Sequence, residues 1–300
     1  MKSAELERLM ASDFEALAAR RASLARHLRA DGYPRIMGVI NVTDDSFYAT
    51  SRADEHEAVK RGLAMWAAGA TWIDIGGEST RPGATPISVT QEQQRVVPVI
   101  TSLRELNPDG LLSIDTRHPE VARAALQAGA DMVNDVSGLR NPAMMDVVVE
   151  WGCAVCVMHM QGEPGNMQSN PSYVDCVDEV AAYLHDIHDR LVERGHPAEL
   201  ICLDPGIGFG KNQRHNIELL HAGRALAKAA GSLLWGVSRK SIVGHLTGRT
   251  DPNDRLPGTL ALAALAHRYG IDIVRVHDVE EHADVFATLS AFSGYAQSTN

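Results

Sequence analysis

The sequence predicts an α/β fold: a closed (β/α)8 barrel of the TIM type with an extra N-terminal helix. Short apolar segments alternate with amphipathic segments through eight strand–helix units over about 260 residues, the repeat and length typical of such a barrel. Glycine follows several of the predicted helices, where a left-handed residue ends a helix. An open doubly wound sheet is the alternative, but Asn41-Val42-Thr43 stands where its glycine fingerprint would follow the first strand.

Residues 1–34 precede the first unit and are predicted to form a helical extension, with the barrel domain covering 35–300. Apolar residues recur in the extension at roughly helical spacing: Leu6, Leu9, Met10, Phe14, Leu17, Leu24 and Leu28. The pattern leaves open whether this helix docks on the barrel or on a second subunit.

The eight units follow in order from Arg35. The predicted strands are Arg35–Asn41, Trp72–Ile75, Leu111–Ile114, Met132–Asn134, Ala154–Met158, Leu200–Leu203, Leu233–Gly236 and Ile273–Val276. The predicted helices are 54–68, 90–106, 118–128, 141–150, 172–194, 212–229, 239–248 with 254–269, and 278–292.

Composition excludes several classes of function. The 300 residues carry a net charge of −10, which argues against nucleic-acid and anionic-membrane partners. No apolar run approaches the roughly 20 residues that span a bilayer. The CxxC pair Cys153 and Cys156 lies near a predicted strand, whose alternation separates the two sulfurs, so buried thiols in a reducing, cytoplasmic protein are expected.

Polar residues stand where the predicted strands end, and in a barrel these ends meet at one face. They include Asn41, Asp74, Asp115, Asn134, His159, Asp204, Lys240, Arg275 and His277. Asp204 is followed by a proline and three glycines within the next six residues, so the backbone there can approach a ligand closely. We expect one site at this rim.

The acceptors and the cations predict different ligands. Asp115, Asn134 and Asp204 suit a nitrogen-rich aromatic ring, whose N–H groups offset the cost of desolvating two carboxylates. Arg275 and His277 lie one residue apart on the last strand, where barrels commonly bind phosphate.

Other roles are open at three positions. Asn41, on the neighbouring first strand, offers an oxygen to Mg²⁺, with substrate phosphates completing the shell. Lys240 could serve as a Schiff-base nucleophile, although Arg239 and Ser241 beside it favour a fixed cation. Asp135 is expected only to cap the next helix.

Eight of these segments, in order and with matching spacing over about residues 35–292, resemble the dihydropteroate synthase family. They are 36–43 (IMGVINVT), 74–83 (DIGGESTRPG), 113–116 (SIDT), 134–138 (NDVSG), 157–162 (VMHMQG), 203–211 (LDPGIGFGK), 236–241 (GVSRKS) and 275–277 (RVH). The resemblance implies a (β/α)8 barrel and the condensation of 6-hydroxymethyl-7,8-dihydropterin pyrophosphate with 4-aminobenzoate. It also implies Mg²⁺ and a homodimer.

The resemblance further implies roles for individual residues. The pterin would be held by Asp115, Asn134, Asp204 and Lys240, with Met158 against its ring. The pyrophosphate would be bound by Asn41, Arg275 and His277, with Asn41 also ligating Mg²⁺. A second loop would contribute Thr80, Arg81 and Pro82, and the aminobenzoate pocket would be lined by Phe209, Lys240 and Ser241.

The first loop departs from the family pattern. Asp44 replaces a proline, and Tyr48-Ala49-Thr50 replaces a glycine-rich piece. In the family this loop closes over the reacting centre, so we hypothesise that this chain discriminates against sulfonamides.

Two further functions remain as alternatives. A methyltetrahydrofolate-dependent methyltransferase also binds a pterin in a barrel, but would lack the Ser238–Ser241 segment and the loop of Thr80–Pro82. An inactive pterin-binding paralogue would be expected to lose Lys240 or the pair Arg275 and His277, and all three are present.

Overall fold

Eight parallel strands close into a barrel in sequence order, which confirms the predicted fold. The computed structural model describes residues 18–42, 52–79, 85–163, 165–228 and 231–298. The strands are β1 Arg35–Asn41, β2 Trp72–Gly76, β3 Leu111–Asp115, β4 Met132–Asp135, β5 Ala154–Met158, β6 Ile201–Asp204, β7 Ser232–Trp235 and β8 Ile273–Val276.

Helices surround the barrel. A first helix, α1, covers residues 18–27. The others are α2 Arg52–Ala67, α3 Val89–Leu106, α4 Pro119–Gln127, α5 Pro142–Trp151, α6 Cys176–Glu193, α7 Gln213–Ala222, α8 Ser241–Thr247, α9 Leu256–Arg268 and α10 Val279–Ser298. None of the helices in the described ranges is long and apolar enough to cross a membrane.

Several helix bounds differ from the predicted positions, and local chemistry explains two of the differences. Helix α6 begins at Cys176 rather than 172 because the Asp175 side chain caps it by accepting a hydrogen bond from the Asp178 N–H. Helix α7 ends at Ala222 rather than near 229, because Gly223, with a φ of 48°, opens a short 3₁₀ turn. The first change lengthens the loop after β5, and the second lengthens the connection that leads into β7.

The described part of the N-terminal extension closes the end of the barrel at which the strands begin, which we call its lower end. Leu24 and Leu28 are buried against the inward-facing Met37 and Trp72, in the layer of side chains that fills the barrel interior. The Trp72 Nε1–H donates to the His27 carbonyl oxygen at 3.0 Å. The described residues of the extension, from 18 onward, therefore pack on the barrel of their own chain.

Two buried aspartates tie the extension to the barrel in the same way. Asp131 precedes β4 and pairs with Arg20 of the extension and with Arg104 of α3. Its Oδ2 also accepts from the Leu112 N–H at 3.0 Å. The charges at this end of the barrel are thus neutralised by neighbours, as buried carboxylates require.

The second aspartate repeats the arrangement on the opposite side of the barrel. Asp272 precedes β8 and pairs with Arg29 and Arg224, while its Oδ2 accepts from the Leu233 N–H at 2.9 Å. With its lower end closed in this way, the barrel presents its strand C-termini as the end that carries the polar residues.

Candidate active site

The carboxyl ends of β3 to β6 bring four predicted site residues together. Asp115 is the last residue of β3 and is in register with Asn134 of β4. Met158 ends β5 and is in register with Asp204, the last residue of β6. Because strands in a parallel barrel end on one face, these side chains form one wall.

A buried ion-pair network lies at the base of this wall. The Arg275 Nε donates to Asp74 Oδ2 at 2.6 Å, and its Nη2 donates to Asp115 Oδ2 at 2.6 Å. The Asn134 Nδ2 donates to the same Asp74 oxygen at 3.1 Å. The guanidinium of Arg275 therefore joins β8 to β2 and β3, and β4 joins the network through the Asp74 carboxylate.

Lys240 and Asp204 lie together on the other side of the mouth. A Cβ atom placed on Gly236 would meet both Lys240 Nζ, at 3.6 Å, and Asp204 Oδ2, at 3.8 Å. Lys240 Nζ donates to the Ile207 carbonyl oxygen at 2.6 Å and lies 4.5 Å from the centroid of the Phe209 ring. Such proximity to the ring face is favourable for a cation.

The backbone around Lys240 explains why it faces the mouth while its neighbour does not. Arg239 has a φ of 56°, a left-handed conformation that is rare outside glycine. Its guanidinium turns away and pairs with Asp278. Lys240 is the N-cap residue of α8, and its ammonium donates to the Ile207 carbonyl oxygen at the mouth.

Burial shifts the pKa values of the charged groups in the mouth. It raises the pKa of Asp204 against the opposing effects of Lys240 and the Gly206 N–H, which donates to Asp204 Oδ1 at 2.7 Å. It lowers the pKa of Lys240 to about 8, with Asp204 opposing the shift. A ligand that brings N–H donors to the acids, or acceptors to the lysine, would offset the free-energy cost of burying these charged groups.

The same balance holds around Arg275. Burial raises the pKa of Asp115, and Arg275 opposes the rise. Burial alone would lower the pKa of Arg275, but the carboxylates of Asp74 and Asp115 raise it overall. Arg275 is therefore a permanent cation, held in place by two acids before any substrate binds.

The remaining predicted residues occupy different places. His277 Nδ1 lies 3.0 Å from Ser238 Oγ just beyond β8, and Asn41 ends β1 with its side chain half-buried. Ser241 is exposed in the first turn of α8. Thr80, Arg81 and Pro82 lie outside the described residues.

One expectation is wrong. Asp135 does not cap helix α5, because Asn141 is its N-cap. The Asp135 carboxylate accepts instead from Ser137 and from the Leu139 N–H at 2.9 Å, and so shapes the turn after β4.

Two features of the site were not predicted. Asp74 was predicted to lie at the rim, close to the end of β2. The strand continues to Gly76, and Asp74 is fully buried inside the barrel. Lys211 is buried beside His159 at the edge of the mouth. The inward alternation of β2 was the available signal for Asp74, and no pattern in the sequence around Lys211 indicated a role for it.

The fold and this site define a pterin-binding enzyme. Residues 37–277 match the family model described as "Pterin binding enzyme". The dihydropteroate synthase of Escherichia coli is 43% identical over 267 residues, covering 86% of this chain and 93% of that protein.

Solved structures agree with this class. The Xanthomonas albilineans dihydropteroate synthase with 4-aminobenzoic acid has a TM-score of 0.80 and 41% identity, over 87% of this chain and 93% of that one. The Yersinia pestis dihydropteroate synthase with a sulfonamide drug has a TM-score of 0.81 and 40% identity, over 88% and 96% of the two chains. The chain belongs to the dihydropteroate synthase family, whose members are transferases.

Proposed function

We propose that this chain condenses 6-hydroxymethyl-7,8-dihydropterin pyrophosphate with 4-aminobenzoate, forming 7,8-dihydropteroate and pyrophosphate for folate synthesis. One observation carries the proposal: acceptors on β3, β4 and β6 and cations on β8 and after β7 converge on one mouth. A flat ring rich in N–H donors with an anionic leaving group has the matching charge distribution.

The pterin is assigned to the wall made by Asp115, Asn134 and Asp204. Its ring N–H groups would donate to the carboxylates, whose burial costs free energy unless donors meet them. Lys240 would donate to the carbonyl oxygen of the pterin. Met158 is almost fully buried at the end of β5, where an apolar side chain can lie against the ring face.

The pyrophosphate is assigned to Arg275, His277 and Asn41. Arg275 is a cation at the base of the mouth, and His277 follows it on the same side of the barrel. Their positive charge would favour departure of pyrophosphate with the electron pair of the C–O bond. Asp115 would then stabilise the positive charge that develops on the pterin methylene and ring.

The residues present are compatible with Mg²⁺. The described residues contain no cluster of three or more His, Cys, Asp or Glu side chains arranged for a metal ion. Mg²⁺ does not require such a cluster, because it commonly keeps several waters and binds one or two protein oxygens plus substrate phosphates. Asn41 would provide the protein oxygen, and the bound ion would neutralise charge on the pyrophosphate.

The 4-aminobenzoate is assigned to the pocket of Phe209, Lys240 and Ser241, with Thr80, Arg81 and Pro82 expected from the second loop. Its amine nitrogen forms the new bond to the pterin methylene and then releases one proton to water. The arylamine is largely neutral at pH 7, so its orientation rather than a protein base would set the rate.

The test is product formation by the purified chain with both substrates, with Mg²⁺ and with a chelator in its place. We expect 7,8-dihydropteroate only with Mg²⁺. Asp204→Asn and Lys240→Met should each lower kcat/KM by about 100-fold or more, the loss typical of a key transition-state contact. Asp189→Asn, at a surface acid that pairs with Lys228, is the control. Absence of product, or full activity in both site variants, would refute the proposal.

A further inference from the structure

Lys211 is a buried cation that the proposed reaction does not use. Its side chain is 3% exposed, at the end of the glycine turn that follows β6. Its Nζ lies 3.0 Å from His159 Nδ1, 3.2 Å from the His159 carbonyl oxygen and 2.9 Å from the Phe209 carbonyl oxygen. An ammonium group has three N–H donors, and these three acceptors satisfy all of them.

The acceptors belong to two segments that Lys211 joins. His159 follows β5, and its N–H donates to the Asp204 carbonyl oxygen at 2.9 Å. The glycine turn packs directly on this segment: a Cβ on Gly206 would overlap the His159 carbonyl oxygen. Lys211 thus bridges two segments that are already in close backbone contact, with no room for a side chain at Gly206.

His159 is suited to be an acceptor in this arrangement. Burial, and then the charge of Lys211, lowers the pKa of His159 to about 3. The imidazole is therefore neutral at physiological pH, and Nδ1 accepts when the proton lies on Nε2. The ring is also fixed by an edge-on contact with Tyr183, at 5.1 Å between centroids.

The glycine turn held by Lys211 forms one side of the arylamine pocket. The Phe209 ring faces Lys240, and the Ile207 carbonyl oxygen accepts from the same lysine. The bond from Lys211 to the Phe209 carbonyl oxygen fixes the peptide next to this ring. A shift of that peptide would move the ring. Of the residues assigned to the pterin, Asp115 and Asn134 lie on strands that Lys211 does not touch, and the Asp204 carboxylate is held by the Gly206 N–H.

We propose that Lys211 is a positioning residue for the arylamine substrate: it bridges His159 to Phe209 and so fixes the Phe209 ring that borders the 4-aminobenzoate pocket. The inference rests on the proposed function. It assigns to Lys211 an effect on one of the two substrates, which distinguishes it from a residue that only supports the fold.

The experiment compares Lys211→Met with the wild-type chain in steady-state kinetics that vary each substrate in turn. We expect KM for 4-aminobenzoate to rise about tenfold, with KM for the pterin pyrophosphate and kcat changed less than about twofold. Lys228→Met is the matched control, because this lysine pairs with Asp189 near the surface, with Nζ 2.6 Å from the carboxylate. It should leave all three constants unchanged.

His159→Phe provides a second variant, which keeps a ring and removes one acceptor. It should raise KM for 4-aminobenzoate less than Lys211→Met, and the double variant should be no worse than Lys211→Met alone, because both act through one contact. If Lys211→Met does not fold, His159→Phe decides alone.

Two results would overturn the inference: an unchanged KM for 4-aminobenzoate in a folded variant, or equal losses for both substrates with a fall in kcat. A wild-type chain that forms no product refutes the proposed function instead, so the two failures are distinguishable.

Discussion

Burial shifts the pKa values of the acids and bases at the barrel mouth in opposite directions. It raises the pKa of Asp115 and Asp204, and it lowers that of Lys211 to about 7 and that of Lys240 to about 8. Each group is held close to a partner of opposite charge or to hydrogen-bonding atoms. The mouth is therefore arranged for a ligand that carries both donors and acceptors.

Lys240 leads to a pH prediction. The ammonium form is present below about pH 8 and is lost as pH rises through that value. If it binds the pterin, the Kd for the pterin pyrophosphate should rise about tenfold between pH 7 and pH 9, following the fraction protonated. Isothermal titration calorimetry at several pH values measures this change.

Lys240→Met separates this titration from the others in the mouth. The variant should bind weakly at every pH and retain only the pH dependence that comes from Asp115, Asp204 and Lys211. Parallel profiles for the variant and the wild-type chain would show that Lys240 does not control binding.

Residue types at strand ends allowed most of the site to be predicted. Asp115, Asn134, Asp204 and Lys240 were predicted to meet, and the structure brings them to one mouth. The buried position of Asp74 was not predicted, because it depends on where β2 ends. A shift of one or two residues in that end moves a side chain from the rim into the interior. Contacts of this kind depend on tertiary geometry rather than on local pattern.

At the scale of elements, the turn after β6 is determined by close backbone contact. Gly206 has a φ of 67°, and a Cβ there would overlap the His159 carbonyl oxygen. Gly248, after α8, has a φ of 73°, but no atom lies within 4 Å of a Cβ at that position. The two glycines share a backbone conformation and differ in their surroundings.

These glycines form a matched pair of variants. Gly248→Ala should lower the free energy of unfolding by about 1–2 kcal/mol, the cost of a left-handed alanine. Gly206→Ala should cost several kcal/mol, on the order of 3 or more, and should reduce activity because Asp204 and Phe209 lie in the displaced segment. Chemical denaturation and kinetics measure both effects, and equal costs at the two positions would contradict the role given to the His159 contact.

The loop after β1 carries the hypothesis about sulfonamides, which stays a prediction from the sequence because residues 43–51 lie outside the described ranges. We expect sulfamethoxazole to inhibit this chain about tenfold less tightly than the Escherichia coli relative, a difference of about 1.4 kcal/mol. Competition against 4-aminobenzoate gives the inhibition constants. Restoring Asp44→Pro should narrow the gap, and equally tight inhibition of the two proteins would end the hypothesis.

At the scale of the whole molecule, each of the last three helices, α8 to α10, exposes an apolar side chain. Leu246, Leu265 and Phe292 are 53%, 41% and 76% exposed and lie on the successive helices α8, α9 and α10. Clustered exposed apolar residues are typical of protein–protein contacts. We infer that these three side chains form one face, which contributes to the homodimer that the family resemblance implies.

A charge placed on this face tests the dimer. Phe292→Asp combined with Leu246→Asp should convert the dimer to a monomer in light scattering coupled to size-exclusion chromatography, because an interface core excludes unpaired charge. Leu106→Asp, at a residue on α3 that is 61% exposed, is the control and should leave the mass unchanged. A wild-type monomer, or a double variant that remains dimeric, would exclude this interface.

The fold itself followed from the sequence because the strand–helix alternation repeats eight times and glycine ends several of the helices, so errors at single boundaries do not change the topology. The lower end of the barrel was less predictable. The docking of residues 18–29 depends on Arg20 and Arg29 reaching Asp131 and Asp272, more than 100 residues away in the chain. Pairings at such separation leave no local pattern.

The decisive measurement is a crystal structure of the chain with 7,8-dihydropteroate bound. The pterin ring should lie between Asp115, Asn134 and Asp204 with Lys240 on its carbonyl oxygen, and the benzoate should lie beside Phe209. A product molecule bound elsewhere on the chain, or one whose pterin ring contacts none of these acids, would show that the convergence of charges at the barrel mouth is not the active site.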